Sequence, residues 1–99
     1  MVVIQVTATA SAGSRDRFEQ VIREVVAEAR ASAGCGRYEW FRSPDDDRQV
    51  FVYGEFESED AFARYRQGPV VKKIVQQLLP LLEARPAFKH FRASVMEQG

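Results

Sequence analysis

The sequence predicts an α+β fold built on one antiparallel sheet. Three observations carry that expectation: residues 2–10 and 87–95 alternate with a period of two, residues 15–33 repeat with a helical period, and each periodic segment ends on turn chemistry. In the first segment Val2, Ile4, Val6 and Ala8 fall on one side and Val3, Gln5, Thr7 and Thr9 on the other, so β-branched residues occupy both faces of a strand. Ser11 to Ser14, with Gly13, form a turn, and Ser14 is placed to cap a helix whose first turn holds Asp16 and Glu19. Within residues 15–33, Phe18, Val21, Ile22, Val25, Val26 and Ala29 recur at helical spacing. Gly34 stands where a left-handed C-cap belongs. Strand two is expected over Arg37 to about Arg42. The turn Ser43–Asp47 follows, whose three adjacent aspartates require solvent.

"RQVFVYGEF", residues 48–56, reads as strand three, and Ser58 caps the next helix, with Glu59 and Asp60 in its first turn. Gly68-Pro69 interrupts that helix. A second helical piece runs from Val70 or Val71 to about Leu79, with Val71, Ile74, Val75, Leu78 and Leu79 as its stripe, and Pro80 ends or kinks it. The order is β-α-β-β-α-β with the second α broken in two. That is the ferredoxin-like arrangement, a four-stranded antiparallel sheet with helices on one face, expected as a single domain over residues 1–99.

The strands place large apolar groups on both faces. Tyr38 and Trp40 oppose Glu39 and Phe41; Val50, Val52 and Phe56 oppose Phe51 and Tyr53; Phe88 and His90 oppose Phe91 and Val95. The helices of one chain cover one face only, and a bare apolar face is uncommon on a monomer. A chain of 99 residues also buries just ~60–65% of its unfolded surface. Both arguments lead to the expectation of a homodimer, sheet against sheet.

Composition narrows the function. Fourteen basic residues balance fourteen acidic ones, so no nucleic-acid or anionic-membrane partner is expected. No apolar run approaches the roughly 20 residues that cross a bilayer, and "MVVIQVTATA" reads as a strand rather than a leader. One cysteine and one histidine exclude an internal disulfide and a Cys/His zinc cluster. A reducing, cytoplasmic location is the expectation, and "SAGCG" lacks the spacing and the lysine of a phosphate loop.

Several features together resemble the antibiotic biosynthesis monooxygenase family of dimeric α+β barrels. They are the turn at Ala12-Gly13, the helix-ending Ala33-Gly34-Cys35, an aromatic strand, and the stretch Tyr53-Gly54-Glu55-Phe56-Glu57-Ser58-Glu59-Asp60-Ala61, which follows the family's Y-x-x-W-x-S-x-x-A. The resemblance implies a cavity between sheet and helices in each subunit. Some members oxidise quinols or anthrone-like polyketides there with dioxygen and without metal or flavin; others degrade haem or isomerise a small compound.

The chain departs from the family pattern in informative places. Phe56 stands for the family tryptophan, and Ala61, Tyr65, Gly68 and Val70 stand in an A-x-x-x-H-x-x-S-x-H pattern, so both histidines are missing. Haem-degrading members use a strand-one asparagine, that tryptophan and a helix histidine. Val6, Phe56 and the lack of a helix histidine argue against haem here.

The resemblance thus implies a small aromatic or quinol-like substrate and no cofactor. The polar candidates are His90, as a base with a reference pKa near 6.5, Tyr65, as a hydrogen-bond donor to a substrate oxygen, and Arg92 and Arg66, as partners for an anion. The walls are expected from Phe56, Phe62, Val71 and Val75. Tyr38 and Tyr53 join the candidate substrate-binding residues and could pair across adjacent strands, with core or interface packing as the favoured role. Trp40 is expected in interface packing, Cys35 as a structural thiol, and no metal site is expected. For His90, Tyr65 and the two arginines, surface or packing roles remain the alternatives. At the level of function, a non-catalytic binding module of the same fold and an isomerase stand beside the oxygenase.

Overall fold

The computed structural model describes residues 1–99. The chain runs β1 (Val2–Thr9), α1 (Arg15–Arg30), β2 (Cys35–Arg42), β3 (Gln49–Phe56), α2 (Glu59–Arg66), α3 (Pro69–Lys73), a π-helical turn (Ile74–Leu78), a 3-10 turn (Leu79–Leu81) and β4 (Ala87–Arg92). The four strands form one sheet in the order β2-β3-β1-β4, every neighbouring pair antiparallel. This is the expected α+β, ferredoxin-like topology.

Alternation decides which side of each strand is covered. Val2, Ile4 and Ala8 of β1, Tyr38 of β2, and Val50, Val52 and Phe56 of β3 join Phe18, Val21, Ile22, Val25, Val26 and Ala29 of α1 in one buried cluster. The α1 stripe is the one that helical spacing picks out. At Gly54 the β3 backbone passes close to side chains of both neighbouring strands: a Cβ there would lie 2.9 Å from Ile4 Cγ1 and 3.0 Å from Tyr38 Cδ2.

Helix ends differ from expectation in detail. Ser14 occupies the N-cap position of α1 without a side-chain cap, because its hydroxyl accepts from Ser11 Oγ at 3.0 Å instead. Ser58 does cap α2, accepting from the Ala61 amide at 3.1 Å. The α1 helix stops at Arg30, three residues early, where the Ala31 and Ser32 amides turn back to Glu28 and Ala29. Gly34, at φ +79°, reverses the chain. Strand β2 therefore begins at Cys35, with a register shift before Tyr38.

Pro69 starts α3 rather than only breaking a helix, since a missing N–H costs nothing at N1. Pro80 cannot donate to an α-helical ladder. The chain before it widens into the π turn, in which the Leu79 amide donates to Ile74 O. Single π turns of this kind are rare and gather at functional sites. Lys73 Nζ reaches Glu28 at 2.8 Å and Glu24 at 3.3 Å and so ties α3 to α1.

No helix of the chain covers the opposite face of the sheet. Its cross-strand rows are Phe41–Phe51–Thr7–Ala87, Glu39–Tyr53–Gln5–Lys89 and Glu55–Val3–Phe91. Phe41, Phe51 and Phe91 are 48%, 37% and 41% exposed, so three aromatic rings lie uncovered around a polar middle row. The face is more mixed than the sequence reading holds, and Val95 does not belong to it, because β4 ends at Arg92. Trp40 is also corrected. It shares the helix-side parity of Tyr38, packs against the core and stacks beneath Arg23, 5.4 Å from the ring centroid.

Candidate active site

A cavity of about 270 Å³ lies between the sheet and the helices. Its volume is just below the ~300–1,000 Å³ usual for ligand pockets. Ile4, Val6 and Val52 form the floor on β1 and β3. Ile22 and Val25 of α1 close one side, and Val71, Ile74 and Leu78 of α3 and the π turn close another. Fifteen of the eighteen lining residues are hydrophobic, so any polar group on the wall dominates recognition. The lining residues that carry polar groups are few: Tyr38, Tyr65, His90 and Arg66.

The two tyrosine hydroxyls lie 2.7 Å apart and bond to each other. One of them donates, and the other keeps its own O–H hydrogen. No second protein acceptor bonds to either oxygen. The pair therefore offers one donor to whatever fills the cavity. Burial raises both tyrosines above their ordinary pKa; the contact between them raises Tyr65 further and draws Tyr38 partly back. They remain protonated and act as donors, never as bases.

His90 comes from β4 and packs between Phe62 (ring centroids 4.9 Å, edge to face) and Phe88 (5.0 Å). Burial first, and the nearby Arg66 charge second, lower its pKa below the usual imidazole value. The ring is thus neutral near pH 7 and free to accept a proton. Phe62, Arg66 and His90 also line an outer groove with Glu59 and Arg92, and so stand at the mouth of the cavity.

The structure brings together six of the residues expected from sequence: Tyr38, Phe62, Tyr65, Arg66, Val71 and His90. Four others are corrected. Phe56 is wholly buried behind the wall, 4.7 Å from the Tyr65 ring and 5.4 Å from that of Phe62, and it braces the site without lining it. Tyr53 lies on the uncovered face, paired in register with Gln5 and Glu39. Its hydroxyl donates to Glu55 and its ring sits under Arg37, so no Tyr38–Tyr53 pair forms; Tyr38 is in register with Gly54. Val75 points outward and is 54% exposed. Arg92 is held at the groove by Glu59 in a bidentate pair of 2.8 and 3.0 Å, outside the cavity.

Sequence reasoning missed the aliphatic lining from β1 and α1, above all Ile4, Val6, Ile22 and Val25. The even-numbered alternation of β1 marks that face, but periodicity does not distinguish a packed position from one beside a void. Cys35 is half-buried, and burial pushes its thiol up, which makes it a poor nucleophile. No three His, Cys, Asp or Glu side chains cluster to hold a metal ion, and no helix is long and apolar enough to cross a membrane.

These features define a small α+β domain with an apolar ligand cavity between sheet and helices. The chain belongs to the antibiotic biosynthesis monooxygenase family, whose model matches residues 1–77. None of the curated proteins matches it. Solved structures with the same fold include an antibiotic biosynthesis monooxygenase-type protein of Deinococcus radiodurans, with TM-score 0.90 and 17% identity over 99% of this chain and 97% of that one. A protein of Nitrosomonas europaea grouped with the same family has TM-score 0.86 and 14% identity, over 94% and 98%. A protein of Mycobacterium tuberculosis has TM-score 0.85 and 19% identity, over 99% and 98%. At such identities these likenesses concern the fold.

Proposed function

We propose that the chain is a cofactor-independent monooxygenase that oxidises a quinol or hydroxylated aromatic with dioxygen. The observation that carries this reading is the pairing of a largely apolar cavity with three groups of distinct roles. The tyrosine pair donates to a substrate oxygen, neutral His90 accepts a proton, and aliphatic walls hold the ring.

In this mechanism His90 takes the phenolic proton and leaves an electron-rich anion, while the free hydroxyl of the Tyr38–Tyr65 pair hydrogen-bonds the ring oxygen. The anion passes one electron to dioxygen, and the radical and superoxide recombine at the activated ring carbon. The resulting peroxide then takes the proton back from His90 and collapses. One dioxygen oxygen ends as the new carbonyl and the other as water, whose two hydrogens are the phenolic proton returned through His90 and the one hydrogen lost from that ring carbon. Holding the reactants together against largely apolar walls supplies the acceleration.

The family patterning and the uncovered aromatic face support a homodimer, with Phe41, Phe51 and Phe91 packed against the sheet of a second copy. A reducing location such as the cytoplasm suits the single thiol. A non-catalytic module that only holds an aromatic ligand is the second reading, favoured by Phe56, Tyr65 and Val70 at positions where the family carries tryptophan and histidines.

Oxygen uptake by purified, metal-free protein with a panel of quinols and anthrones tests the proposal. Consumption above the spontaneous rate, reduced at least ~100-fold in His90→Gln as expected for loss of a general base, is the expected result. Uptake no faster than without protein across the panel, together with a co-purified aromatic in the mass spectrum, would favour the binding module.

A further inference from the structure

Arg66 has no anionic partner. Its guanidinium carbon rests 5.6 Å from the centroid of the Phe62 ring, and no carboxylate or carbonyl accepts from it. Unpaired arginines are common on protein surfaces, but this one lines both the cavity and the outer groove. The one carboxylate in the groove, Glu59, spends both oxygens on Arg92. Arg92 and Glu59 therefore neutralise each other, and Arg66 is left as the only uncompensated charge at the mouth of an otherwise apolar chamber.

We infer that the ligand of this site is an aromatic monocarboxylate, its ring in the cavity and its carboxylate at the mouth on the Arg66 guanidinium. A guanidinium fork matches the planar carboxylate in bidentate fashion. One free positive charge suits one negative charge, whereas a phosphate dianion would call for more. Stacking on Phe62 restrains the fork and leaves its N–H edges open. The same charge disfavours protonation of His90, so the mouth offers an anion one cation and one neutral ring rather than two cations. The ligand would therefore be bound at both ends, by a ring oxygen on the tyrosine pair and a carboxylate on Arg66.

The inference rests on the cavity being the substrate site, and calorimetry with three neutral-pH probes separates the two ideas. The probes are 2-naphthol, 2-naphthoate and 6-hydroxy-2-naphthoate, titrated into the wild-type protein and into Arg66→Gln and Arg66→Lys. Arg66 is exposed, so the variants should fold, which far-UV circular dichroism verifies.

An exposed ion pair contributes little and a desolvated one several times more; a partly screened mouth lies between them. The carboxylates should bind the wild type about tenfold more tightly than 2-naphthol does. They should lose about that factor in Arg66→Gln, part of it in Arg66→Lys, and weaken with added salt. The affinity for 2-naphthol should stay unchanged. Equal affinities for naphthol and naphthoate in the wild type, or carboxylate binding indifferent to Arg66→Gln, would overturn the anionic head and leave the aromatic cavity standing. Failure of all three probes to bind would overturn the cavity reading and the inference with it.

Discussion

The two faces of the sheet come from the same four strands, yet they solve opposite problems. On the helix side, β1 and β3 contribute Ile4, Ala8, Val50, Val52 and Phe56, all buried, and no ionic group enters the cluster. On the other side the same strands present Gln5, Thr7, Phe51, Tyr53 and Glu55, with Glu39 and Lys89 at the two edges of the middle row. The first face is closed by the chain's own helices except beside β4, where every residue is exposed and the cavity lies. The second face is closed by nothing in the chain. The difference separates two kinds of hydrophobic residue. Those buried on the helix face hold the protomer together, and the three exposed phenylalanines of the other face, Phe41, Phe51 and Phe91, are available to hold two protomers together.

Truncation at the centre of the covered face should cost most. Phe56→Ala removes a fully buried ring that braces Phe62 and Tyr65, and it should destabilise the protomer by ~3–5 kcal/mol, read as a fall in urea midpoint at unchanged m-value. A loss below ~1 kcal/mol would mean that the two faces do not differ as the burial pattern indicates.

The complementary change belongs on the uncovered face. Phe51→Lys sits at a site already 37% exposed, so the protomer should keep its fold while sheet-to-sheet association weakens by roughly 100-fold, or ~2.7 kcal/mol. Sedimentation equilibrium across concentration reads this directly. A wild-type protein that is monomeric at all concentrations would remove the uncovered face from the argument for a dimer. Glycine substitutions sharpen the comparison at smaller scale. Gly54→Ala pushes a methyl into Ile4 and Tyr38 on the helix side and should cost ~1–3 kcal/mol. Gly36→Ala, whose methyl would find nothing nearer than 3.8 Å, should stay within ~0.5 kcal/mol in thermal unfolding.

The contrast between faces also explains what could be read from sequence. Alternation in β1 and β3 and the helical period of α1 report burial directly, so topology, the α1 stripe and the covered side of each strand are legible. The site is legible where a residue is polar on an apolar face, as with His90, Tyr65 and Arg66. It is not legible where a residue's distance from a void matters. Phe56 and Val52 share a face of β3, yet Val52 lines the cavity and Phe56 lies behind its wall. Hydrophobicity and spacing put Val75 in the stripe, but within the π turn that follows α3 it faces solvent. Arg92 shares the parity of His90, but a partner 33 residues away, Glu59, fixes where it ends. Strand parity gives the side; only tertiary pairing gives the destination.

The smallest expected effect tests the one titrating group at the seam between the closed face and the open edge. Burial and Arg66 depress the pKa of His90 in the folded protein, whereas the unfolded chain titrates near 6.5. Between those two values the unfolded state binds more protons, so stability rises with pH there and falls as pH drops below ~6.5. Glu59 acts in the same direction but lower down. Arg92 holds its carboxyl below the ordinary value, so the stability it adds is present above its unfolded pKa and is lost only as pH falls through the depressed folded one. The His90 window opens near 6.5, above the ordinary carboxylate range in which that of Glu59 begins, and His90→Gln isolates the upper one. Denaturation at pH 7 and pH 5.5 should show the wild type losing slightly more stability than the variant over that interval. The His90 ring-proton shift in NMR should titrate with a midpoint below 6.5, and the acid limb of any kcat/KM profile should fall at the same pH. A midpoint at or above 6.5 would mean that neither partial burial nor Arg66 depresses the imidazole, and it would remove the neutral ring at pH 7 on which its role as proton acceptor depends.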